Sequence, residues 1–574
     1  MKCLALLGRK TVISTRFRSV FFASMVSMTV SYILMLTDNV VAGQILGQQA
    51  VAAMSLVFPL LTMLFFISYL IADGLAMMAA YAQGKGNREE VYRLFSLGVI
   101  LSLGLGAVLL LLLLTGREEI LAYWEISPEL MDYARAYYSG LMWLPPLEFL
   151  NIFLYTFFVQ EGEERICAIA FVVAFAVNAV LDVVLCRTAG TLGIGLATLT
   201  GTFVSCAVQV AFFCCAKCRL HLRRYWDTAK VLRGFWYSLY HSIDTLLLSL
   251  LPVLISGYVI SRFGEGHLIV VSVIVNVLTL IIALYTGLVD CLQPMVCQYH
   301  AEENLRSVQK TMGLGIEATA ALSIAVSLLG MMAAPLLPRL FGVTDDAVMA
   351  EAVLSLRLFL LFTVFLGCTL MYSNYYVYIE ERNYSAFVKF TLLLALPAVG
   401  MNLGGRMGMA GMWLGIGGSF IAAFALNFLL THLRGKRSNL LLMDKQRLKR
   451  QLSYDLDSTA EEVYALTERV RDDLAGFRLS ERRRNLLRLF VEELGLHAAG
   501  RGHFQLEFSL LLGATDADPV RLIARDNGKP YDILKAAGED DLSFREYFID
   551  SVTADLPVRK YQAAGDENRF TLQV

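Results

Sequence analysis

The segment "ADGLAMMAAYAQGKGNREEVYRLFSLGV" (72–99) recurs as "VDCLQPMVCQYHAEENLRSVQKTMGLGI" (289–316), and the two segments align without a gap. An aspartate, a leucine, a methionine, an asparagine, a valine and a glycine coincide in this alignment. A second match pairs "TLGIGLA" (191–197) with "RMGMAGMW" (406–413), apart from a one-residue shift. The repeat predicts a chain that is built from two related halves.

The composition is typical of a membrane protein. The chain has 574 residues, of which 57% are apolar and 17% charged, with a formal net charge of −1. Soluble domains average about 45–50% apolar and about 25% charged residues. Residues 19–432 hold nearly all the long apolar runs, whereas residues 433–574 are rich in Arg, Asp and Glu. The sequence therefore predicts a membrane-embedded part that is followed by a water-soluble tail.

The apolar runs predict the number of membrane spans. Crossing the hydrocarbon core of a bilayer takes about 20 mainly apolar residues. Twelve runs meet this length, six in each half, near 18–42, 50–76, 94–114, 134–160, 166–186, 191–216, 234–262, 267–296, 310–335, 347–378, 384–403 and 408–432. An even number makes the halves parallel, as in secondary transporters that rock two bundles about a central cleft. The predicted fold is an all-α polytopic membrane protein with 12 transmembrane helices in two pseudo-symmetric six-helix bundles, plus a cytoplasmic α+β domain.

Basic residues predict the orientation in the membrane. Lysine and arginine are concentrated in one set of loops, and both termini fall on the same side as these loops. Because cytoplasmic loops carry such an excess, we expect a multi-pass protein of the cell (inner, cytoplasmic) membrane with both termini in the cytoplasm. The predicted domains are an N-lobe (1–216), a basic cytoplasmic linker (217–233), a C-lobe (234–432), a second linker (433–457) and a cytoplasmic domain (458–574).

The fifth predicted span carries an amide and an acid, Asn178 and Asp182, within the run "FVVAFAVNAVLDVVL" (171–185). A charged side chain at the bilayer centre costs at least about 3 kcal/mol, so it indicates function by default. The two residues lie one turn apart on one helix face, and Asp38 of the first span is expected at the same depth. Such a set can bind a small hard cation, or its two carboxylates can share a proton. The candidate coupling site comprises Asp38, Asn151, Asn178, Asp182 and Thr200.

Other intramembrane polar residues have more than one interpretation. Asn151 and Thr200, taken singly, are explained by interhelical hydrogen bonds. Asp73 and Asp290 coincide in the repeat near the cytoplasmic ends of spans two and eight. Capping or pairing at an inner gate is favoured there over substrate contact. Glu148 either lines the cleft or forms a structural pair.

A family resemblance rests on the ends of spans one and two, "LTDNVVAGQILG" and "AQGKGN", and on "NAVLD … LGIGLAT" of spans five and six. Over about residues 15–432 the chain resembles the multidrug and toxic-compound extrusion (MATE) transporters. The resemblance implies an antiporter that exports organic, often cationic, compounds in exchange for sodium ions or protons. The chain departs from many members in having no proline before Pro59.

The resemblance also assigns roles to residues. The first-lobe acid and the Asn/Asp pair of the family fall on Asp38, Asn178 and Asp182, which would hold Na+. The fourth-span amide, the sixth-span hydroxyl and the second-half acid of some branches fall on Asn151, Thr200 and Asp244.

The tail has the pattern of an α+β domain. Residues 459–475 and 480–499 predict amphipathic helices, whereas "FQLEFSLLL" (504–512) and "VRLIAR" (520–525) predict strands. Over 458–574 the tail resembles the histidine-kinase-type (GHKL) ATP-binding fold, in its anti-sigma-factor branch.

This second resemblance implies a degenerate, vestigial nucleotide site. Asp526 and Gly528 would contact adenine, and Glu493 matches the glutamate of the magnesium-binding helix. The magnesium-binding asparagine of that helix is replaced by His497, a poor magnesium ligand. The glycine-rich lid is also missing, since no glycine occurs between Gly538 and Gly565.

Two classes of function follow. The favoured one is an ion-coupled exporter, not an enzyme, with a cytoplasmic regulatory tail and Na+ or H+ as its coupling ion. It would need no cofactor. Its expected partners are a small organic substrate, membrane lipid and a protein or nucleotide ligand of the tail, without nucleic acid. The alternatives are a lipid-linked saccharide flippase of the same superfamily and a membrane-anchored kinase or ATPase with a sensor membrane region.

Overall fold

The computed structural model describes most of the chain. The described residues are 10–122, 128–215, 218–264, 267–340, 345–433, 437–438, 440–515, 518–532, 544–554, 556–564 and 567–574. Gly538 and Gly565, which bound the segment expected to lack a glycine-rich lid, lie outside them.

The described part of the first half is entirely helical between its turns. Its helices are α1 (Val12–Ile45), α2 (Gln48–Gly84), α3 (Arg88–Thr115), α4 (Arg117–Ala122), α5 (Pro128–Leu141), α6 (Leu144–Glu161), α7 (Glu164–Ala189) and α8 (Thr191–Phe213). The predicted fourth span is bent by 51° between α5 and α6. Pro145 and Pro146 explain the break, because they lack the N–H donors of a helix interior but fit the first turn of α6.

The second half repeats this arrangement. Its helices are α9 (Thr228–Phe263), α10 (Leu268–Ala301), α11 (Leu305–Ala333), α12 (Leu337–Leu340), α13 (Asp346–Leu360), α14 (Thr363–Tyr378), α15 (Arg382–Phe390), α16 (Leu396–Gly404) and α17 (Met409–Leu433). The bend of 46° between α13 and α14 corresponds to the bend of the first half. A π-helical turn, Thr391–Ala395, joins α15 to α16 just before Pro397, whose ring cannot continue a regular helix.

Left-handed backbone marks the same four turns in both halves. These residues are Gly47, Gly86, Gly162 and Gly190 in the first half, and Gly264, Glu303, Glu380 and Gly408 in the second. Each residue of the second set follows its counterpart by 217 or 218 positions, which is the offset of the sequence repeat. The predicted duplication is therefore present in the backbone as well as in the sequence.

The coinciding asparagines of the repeat have a structural explanation. Asn87 caps α3 by accepting from the Glu90 N–H at 3.1 Å. Asn304 caps α11 in the same way through the Ser307 N–H at 3.1 Å. An amide oxygen at this position satisfies a donor that the helix itself cannot, so both halves use one device to start their third long helix.

The helices are apolar enough for a membrane, but their count differs from the prediction. Nine helices within the described ranges could cross a membrane, or eleven if each bent pair is one span. At the seventh position, the apolar segment found within the described residues of α9 is Leu250–Phe263, which alone is too short to be counted as a span.

Beyond Leu433 the chain forms the tail domain. Its elements are β1 (Arg437–Ser438), β2 (Met443–Asp444), α18 (Lys445–Lys449), β3 (Gln451–Asp457), α19 (Ala460–Ala475), α20 (Glu481–Arg501), β4 (Gln505–Leu511), β5 (Arg521–Asp526), α21 (Phe544–Thr553), β6 (Val558–Ala564) and β7 (Glu567–Gln573). The two amphipathic helices and the two strands predicted from the sequence are confirmed as α19, α20, β4 and β5. A five-stranded antiparallel sheet runs in the order β3-β4-β5-β7-β6.

The tail domain packs on one end of the membrane helices, which we call the tail side. Arg16 of α1 pairs with Glu567 of β7 at 2.6 Å. Lys310 of α11 pairs with Asp455 of β3 at 2.8 Å. The sheet therefore contacts both halves of the membrane part.

Helices of the two halves touch backbone to backbone towards the tail side. A Cβ atom on Gly74 of α2 would lie 1.9 Å from the carbonyl oxygen of Gly234 on α9. The Gly74 N–H also donates to Ser238 Oγ at 2.5 Å. A Cβ atom on Gly84 would lie 2.4 Å from the carbonyl oxygen of Gln298 on α10. The two halves are thus in contact at this level.

We expect Gly74→Ala to destabilise this closed arrangement. The added methyl group overlaps a backbone atom that cannot rotate away, and overpacking of this kind costs about 1–3 kcal/mol. Gly104→Ala is the matched control, because Gly104 faces open space on α3 and alanine favours a helix. Thermal unfolding of the two purified variants should show a lower midpoint for Gly74→Ala alone, and equal midpoints would contradict the close contact.

Candidate functional site

Two buried aspartates from different helices meet in the first half. Helix α7 packs against α1 and α8, and this packing brings the carboxyl groups of Asp38 and Asp182 together. Asp38 is 6% exposed and Asp182 is 0% exposed. Each lies about 10 Å from the far end of its helix, given a rise of about 1.5 Å per residue. The aspartates therefore lie at equal distances from the ends of their helices.

The polar atoms around this acid pair are only partly satisfied. The Thr198 hydroxyl donates to Asp38 Oδ2 at 3.1 Å. No hydrogen-bond partner within the described residues reaches Asp38 Oδ1, either carboxyl oxygen of Asp182, or the side-chain amide of Asn178. A buried polar group without a partner costs about 1–3 kcal/mol. A cation or a shared proton would remove this cost, and two adjacent carboxylates cannot both stay charged without one.

The remaining members of the predicted coupling site lie elsewhere. Asn151 on α6 accepts through Oδ1 from Gln209 Nε2 on α8 at 2.6 Å. Thr200 donates to the Leu196 carbonyl of its own helix at 2.7 Å. The hydroxyl that reaches Asp38 belongs to Thr198, which corrects the assignment of Thr200. Two residues along a helix are about 200° apart, so Thr198 and Thr200 cannot share a partner.

A second polar site surrounds a cavity of about 260 Å³ between the halves. Asp73 of α2, Asp244 of α9 and Asp290 of α10 all line it. Its apolar wall includes aromatic side chains from both halves: Phe65, Phe66, Tyr69 and Tyr285. Glu148, which the sequence places either in the cleft or in a structural pair, is not among the lining residues and interacts with Thr202 of α8.

Lys389 of α15 neutralises part of this acidic cluster. Its side chain is 0% exposed, and its Nζ lies 3.3 Å from Asp244 Oδ2. Nζ also donates to Asn374 Oδ1 at 2.9 Å and to the carbonyl oxygen of His241. His241 Nε2 in turn lies 3.7 Å from Asp73 Oδ2. The cluster therefore contains three carboxyl groups and only two basic side chains, one lysine and one histidine.

In the tail, the carboxyl group of Asp526 is engaged by its own domain. Its Oδ1 accepts from the Gly528 N–H at 2.9 Å and from Asn568 Nδ2 at 2.7 Å, and Arg501 donates to Oδ2 at 3.4 Å. Burial raises the pKa of Asp526, although Asn568 and Arg501 act against the shift. The chain therefore turns tightly at the end of β5, where the Asp526 side chain accepts from the Gly528 N–H.

Glu493 and His497 both lie on α20, which packs against β5. The His497 ring is 5.3 Å from the ring of Tyr531. The residues assigned to the nucleotide site thus come from neighbouring elements. Adenine recognition through Asp526 stays a prediction.

Comparison with known proteins gives the chain a family. Residues 23–184 and 242–401 match the model of the family described as MatE. The chain belongs to the MatE family. MATE proteins are transporters and not enzymes, so this membership favours transport over the kinase or ATPase alternative.

Solved structures with the same fold are themselves transporters. A MOP superfamily transporter from Pyrococcus furiosus is similar with a TM-score of 0.68 and 20% identity, over 76% of this chain and 98% of that one. A multidrug resistance MATE family transporter in its outward-facing conformation matches with the same values. A MATE in the bent conformation has a TM-score of 0.66 and 20% identity, over 76% and 97% of the two chains. No curated protein sequence matches this chain.

Sequence reasoning about this MATE protein missed three polar residues. Thr198 and Gln209 are single polar side chains within the apolar α8, and such residues usually make interhelical bonds. Lys389 follows the polar start of α15, so its sequence position resembles that of an interfacial residue. The available signal in the sequence was a lysine directly before the apolar run 390–399.

Lys389 is expected to be needed for the stability of this MATE protein. Lys389→Met leaves Asp244 and the neighbouring carbonyl groups without their cation, and breaking a buried pair costs about 3–5 kcal/mol. Adding Asp244→Asn should recover part of the loss. The exposed Lys85 provides the control Lys85→Met. Thermal unfolding in detergent measures all three, and an unchanged midpoint for Lys389→Met would exclude this role.

Proposed function

We propose that this MATE-family transporter is an ion-coupled antiporter that exports organic cations by alternating access. Twelve spans in two six-helix lobes would cross the inner membrane, with both termini and the tail domain in the cytoplasm. The acid pair Asp38–Asp182 is the observation that carries the proposal.

The acid pair supports ion coupling because its stability depends on whether a cation or a proton is bound. When both carboxyl groups are ionised they repel each other in a low-dielectric interior. A sodium ion held by Asp38, Asp182 and the unpartnered Asn178 amide would offset this repulsion, and so would a proton shared between the acids. Either ion would favour the conformation in which the two helices lie together, and its release would favour another.

The cavity between the halves supports a cationic substrate. Three carboxyl groups and four aromatic rings line it, and none of the described lining residues is lysine or arginine. Aromatic faces attract cations, and carboxylates add charge complementarity. The flippase alternative is less favoured, because an anionic lipid-linked headgroup would need basic residues in this wall. We therefore propose Asp73, Asp244 and Asp290 as substrate contacts, with Glu148 in a structural role.

Asp38→Asn and Asp182→Asn should each lower gradient-driven export by about tenfold or more, the size of a coupling free energy of 1–3 kcal/mol. An amide keeps the shape of the side chain but cannot take up a proton or balance a cation. Efflux of ethidium, a fluorescent organic cation, from proteoliposomes under sodium or proton gradients measures the effect.

The control for this experiment is Asp132→Asn, because Asp132 is exposed on α5 and belongs to neither site. Full export by both Asp38→Asn and Asp182→Asn would refute ion coupling at the acid pair. Loss of export in the control would instead indicate a general folding defect.

A row of charged residues across the sheet of the tail domain supports a regulatory role for this domain. Asp455, Glu507, Arg525 and Arg569 stand side by side on β3, β4, β5 and β7, and we call them the charged row. Arg525 lies 3.2 Å from Glu507 and also pairs with Glu302, the residue that follows α10. Arg569 pairs with Glu302 and donates to the Gln83 carbonyl of α2 at 2.9 Å.

The charged row is removed from water. The side chains of Arg525 and Glu507 are 0% exposed. Burial alone would raise the pKa of Glu507, but Lys310 and Arg525 reverse this and hold the pKa below its ordinary value. The charged row is therefore held by mutual pairing between the tail and the helix ends of both lobes.

Opening the tail side would separate α2 from α10 and break these pairs. We propose that the tail domain holds the tail side closed until a ligand or partner releases it. A nucleotide at the Asp526 turn, or a protein on the domain, could act as the releasing ligand.

Glu302→Gln combined with Arg569→Gln should speed transport if this role is right. The double change removes the contact that spans the lobes without leaving a single unpaired charge, and replacing both partners of a buried pair is often neutral for folding. Thr286 lies in the cavity wall. In a Thr286→Cys background, we expect the double variant to raise the reactivity of this cysteine towards a thiol reagent, added on the tail side, by roughly tenfold.

Arg482→Gln is the matched control, since Arg482 is exposed on α20 away from the charged row. Its reactivity and export should equal those of the unchanged protein. If the double variant exports more slowly while remaining folded, the tail domain is a support and not a brake.

A further inference from the structure

A groove of about 720 Å³ lies at the tail side of the first lobe, outside the sites described above. The start of α1 forms one wall, and the start of α7 forms another. Gln505, Asn527 and Glu567 of the tail domain close the third side. The groove therefore joins the edge of the tail domain to the membrane helices.

One end of this groove is basic. Four cationic residues line it against two acids, Glu164 and Glu567. Arg16 is paired with Glu567 at 2.6 Å. Three cations, Lys10, Arg18 and Arg165, then face one acid, Glu164, so the groove carries a net positive charge. One terminal guanidinium nitrogen of Arg18 is buried and has no hydrogen-bond partner within the described residues. Arg18 therefore has a donor that an anion in the groove could satisfy.

The other end of the groove is apolar and faces outward. Phe22 and Val26 follow Arg18 at successive turns of α1, and Ile169 follows Arg165 by one turn on α7. Phe22 is 64% exposed and Ile169 is 54% exposed. At about 1.5 Å per residue, the apolar side chains begin about 6 Å deeper along the helices than the cations. The groove thus places a positive pocket directly above a lipid-facing apolar strip.

We propose that this groove binds an anionic phospholipid of the tail-side leaflet. The phosphate-bearing headgroup would lie among Lys10, Arg18 and Arg165, and the acyl chains would lie along Phe22 and Ile169. Basic pockets at membrane helix ends suit anionic headgroups, and only a lipid supplies an anion and an apolar chain at this spacing. Gln505 and Asn527 add polar contacts from the tail domain, so the bound lipid bridges the tail and the first lobe.

Native mass spectrometry of the full-length protein tests this directly and does not depend on transport. The purified protein is delipidated and titrated with phosphatidylglycerol or phosphatidylcholine. We expect retention of phosphatidylglycerol over phosphatidylcholine. Arg18→Gln combined with Arg165→Gln should weaken that retention about 30-fold, since each basic residue near an anionic surface contributes a factor of about five.

Two variants control for charge and location. Arg18→Lys keeps the cation and should retain the lipid. Arg224→Gln removes an exposed arginine from the linker between the lobes and should change nothing. If Arg224→Gln weakens retention as much as the double variant, the effect is general surface charge and the proposed site is wrong.

The soluble headgroup glycerol phosphate separates a lipid site from a simple anion site. It lacks acyl chains, so it should compete poorly with phosphatidylglycerol. Ile169→Ser should weaken lipid retention without changing the binding of glycerol phosphate. Equal binding of glycerol phosphate and phosphatidylglycerol, or equal retention of the two phospholipids, would overturn the proposal.

Discussion

Burying a charged side chain costs free energy unless an opposite charge, a proton or an ion neutralises it. This constraint explains how the polar groups inside the protein are arranged. The charged row satisfies it with protein groups alone, because Arg525 contacts Glu302, Glu507 and Glu567. The acid pair Asp38–Asp182 does not, since no described basic residue forms an ion pair with it. The first arrangement is suited to holding two parts together, and the second to responding to an ion.

Helix α1 connects these arrangements. It carries Arg16 at the tail side, Met28 in the wall of the central cavity and Asp38 near the far end. Arg16 and Asp38 are about 33 Å apart along the helix axis at about 1.5 Å per residue. One helix thus takes part in all three sites. The acid pair, the cavity and the tail domain are therefore joined by a single helix.

Sequence periodicity and repetition predicted most of the fold, because a 34-residue helix such as α1 is dictated by its apolar run. The meeting of Asp38 with Asp182 was also predictable, since both acids lie at corresponding depths of outward-running spans. The choice of Thr198 over Thr200 depended on the rotation of α8 about its axis, which an apolar sequence on all faces does not determine. The pairing of Lys389 with Asp244 depended on a contact between α15 and α9, whose residues are far apart in the chain. The face of the tail domain that contacts the membrane helices could not be predicted without the register of its strands. This register places Glu507, Arg525 and Arg569 in one row.

The four left-handed turns carry a further consequence. The first half has glycine at all of them, but the second half has Glu303 and Glu380 at two, where a side chain costs about 1–2 kcal/mol of backbone strain. Both glutamates are used: Glu303 pairs with Arg521 of the tail domain, and Glu380 accepts from Tyr237 of α9 at 2.5 Å. The membrane body thus gives up part of its own stability at position 303 for a contact outside itself. At position 303, a side chain that strengthens binding of the tail domain therefore lowers the stability of the membrane part. Glycine would relieve the backbone strain but would lose the ion pair with Arg521.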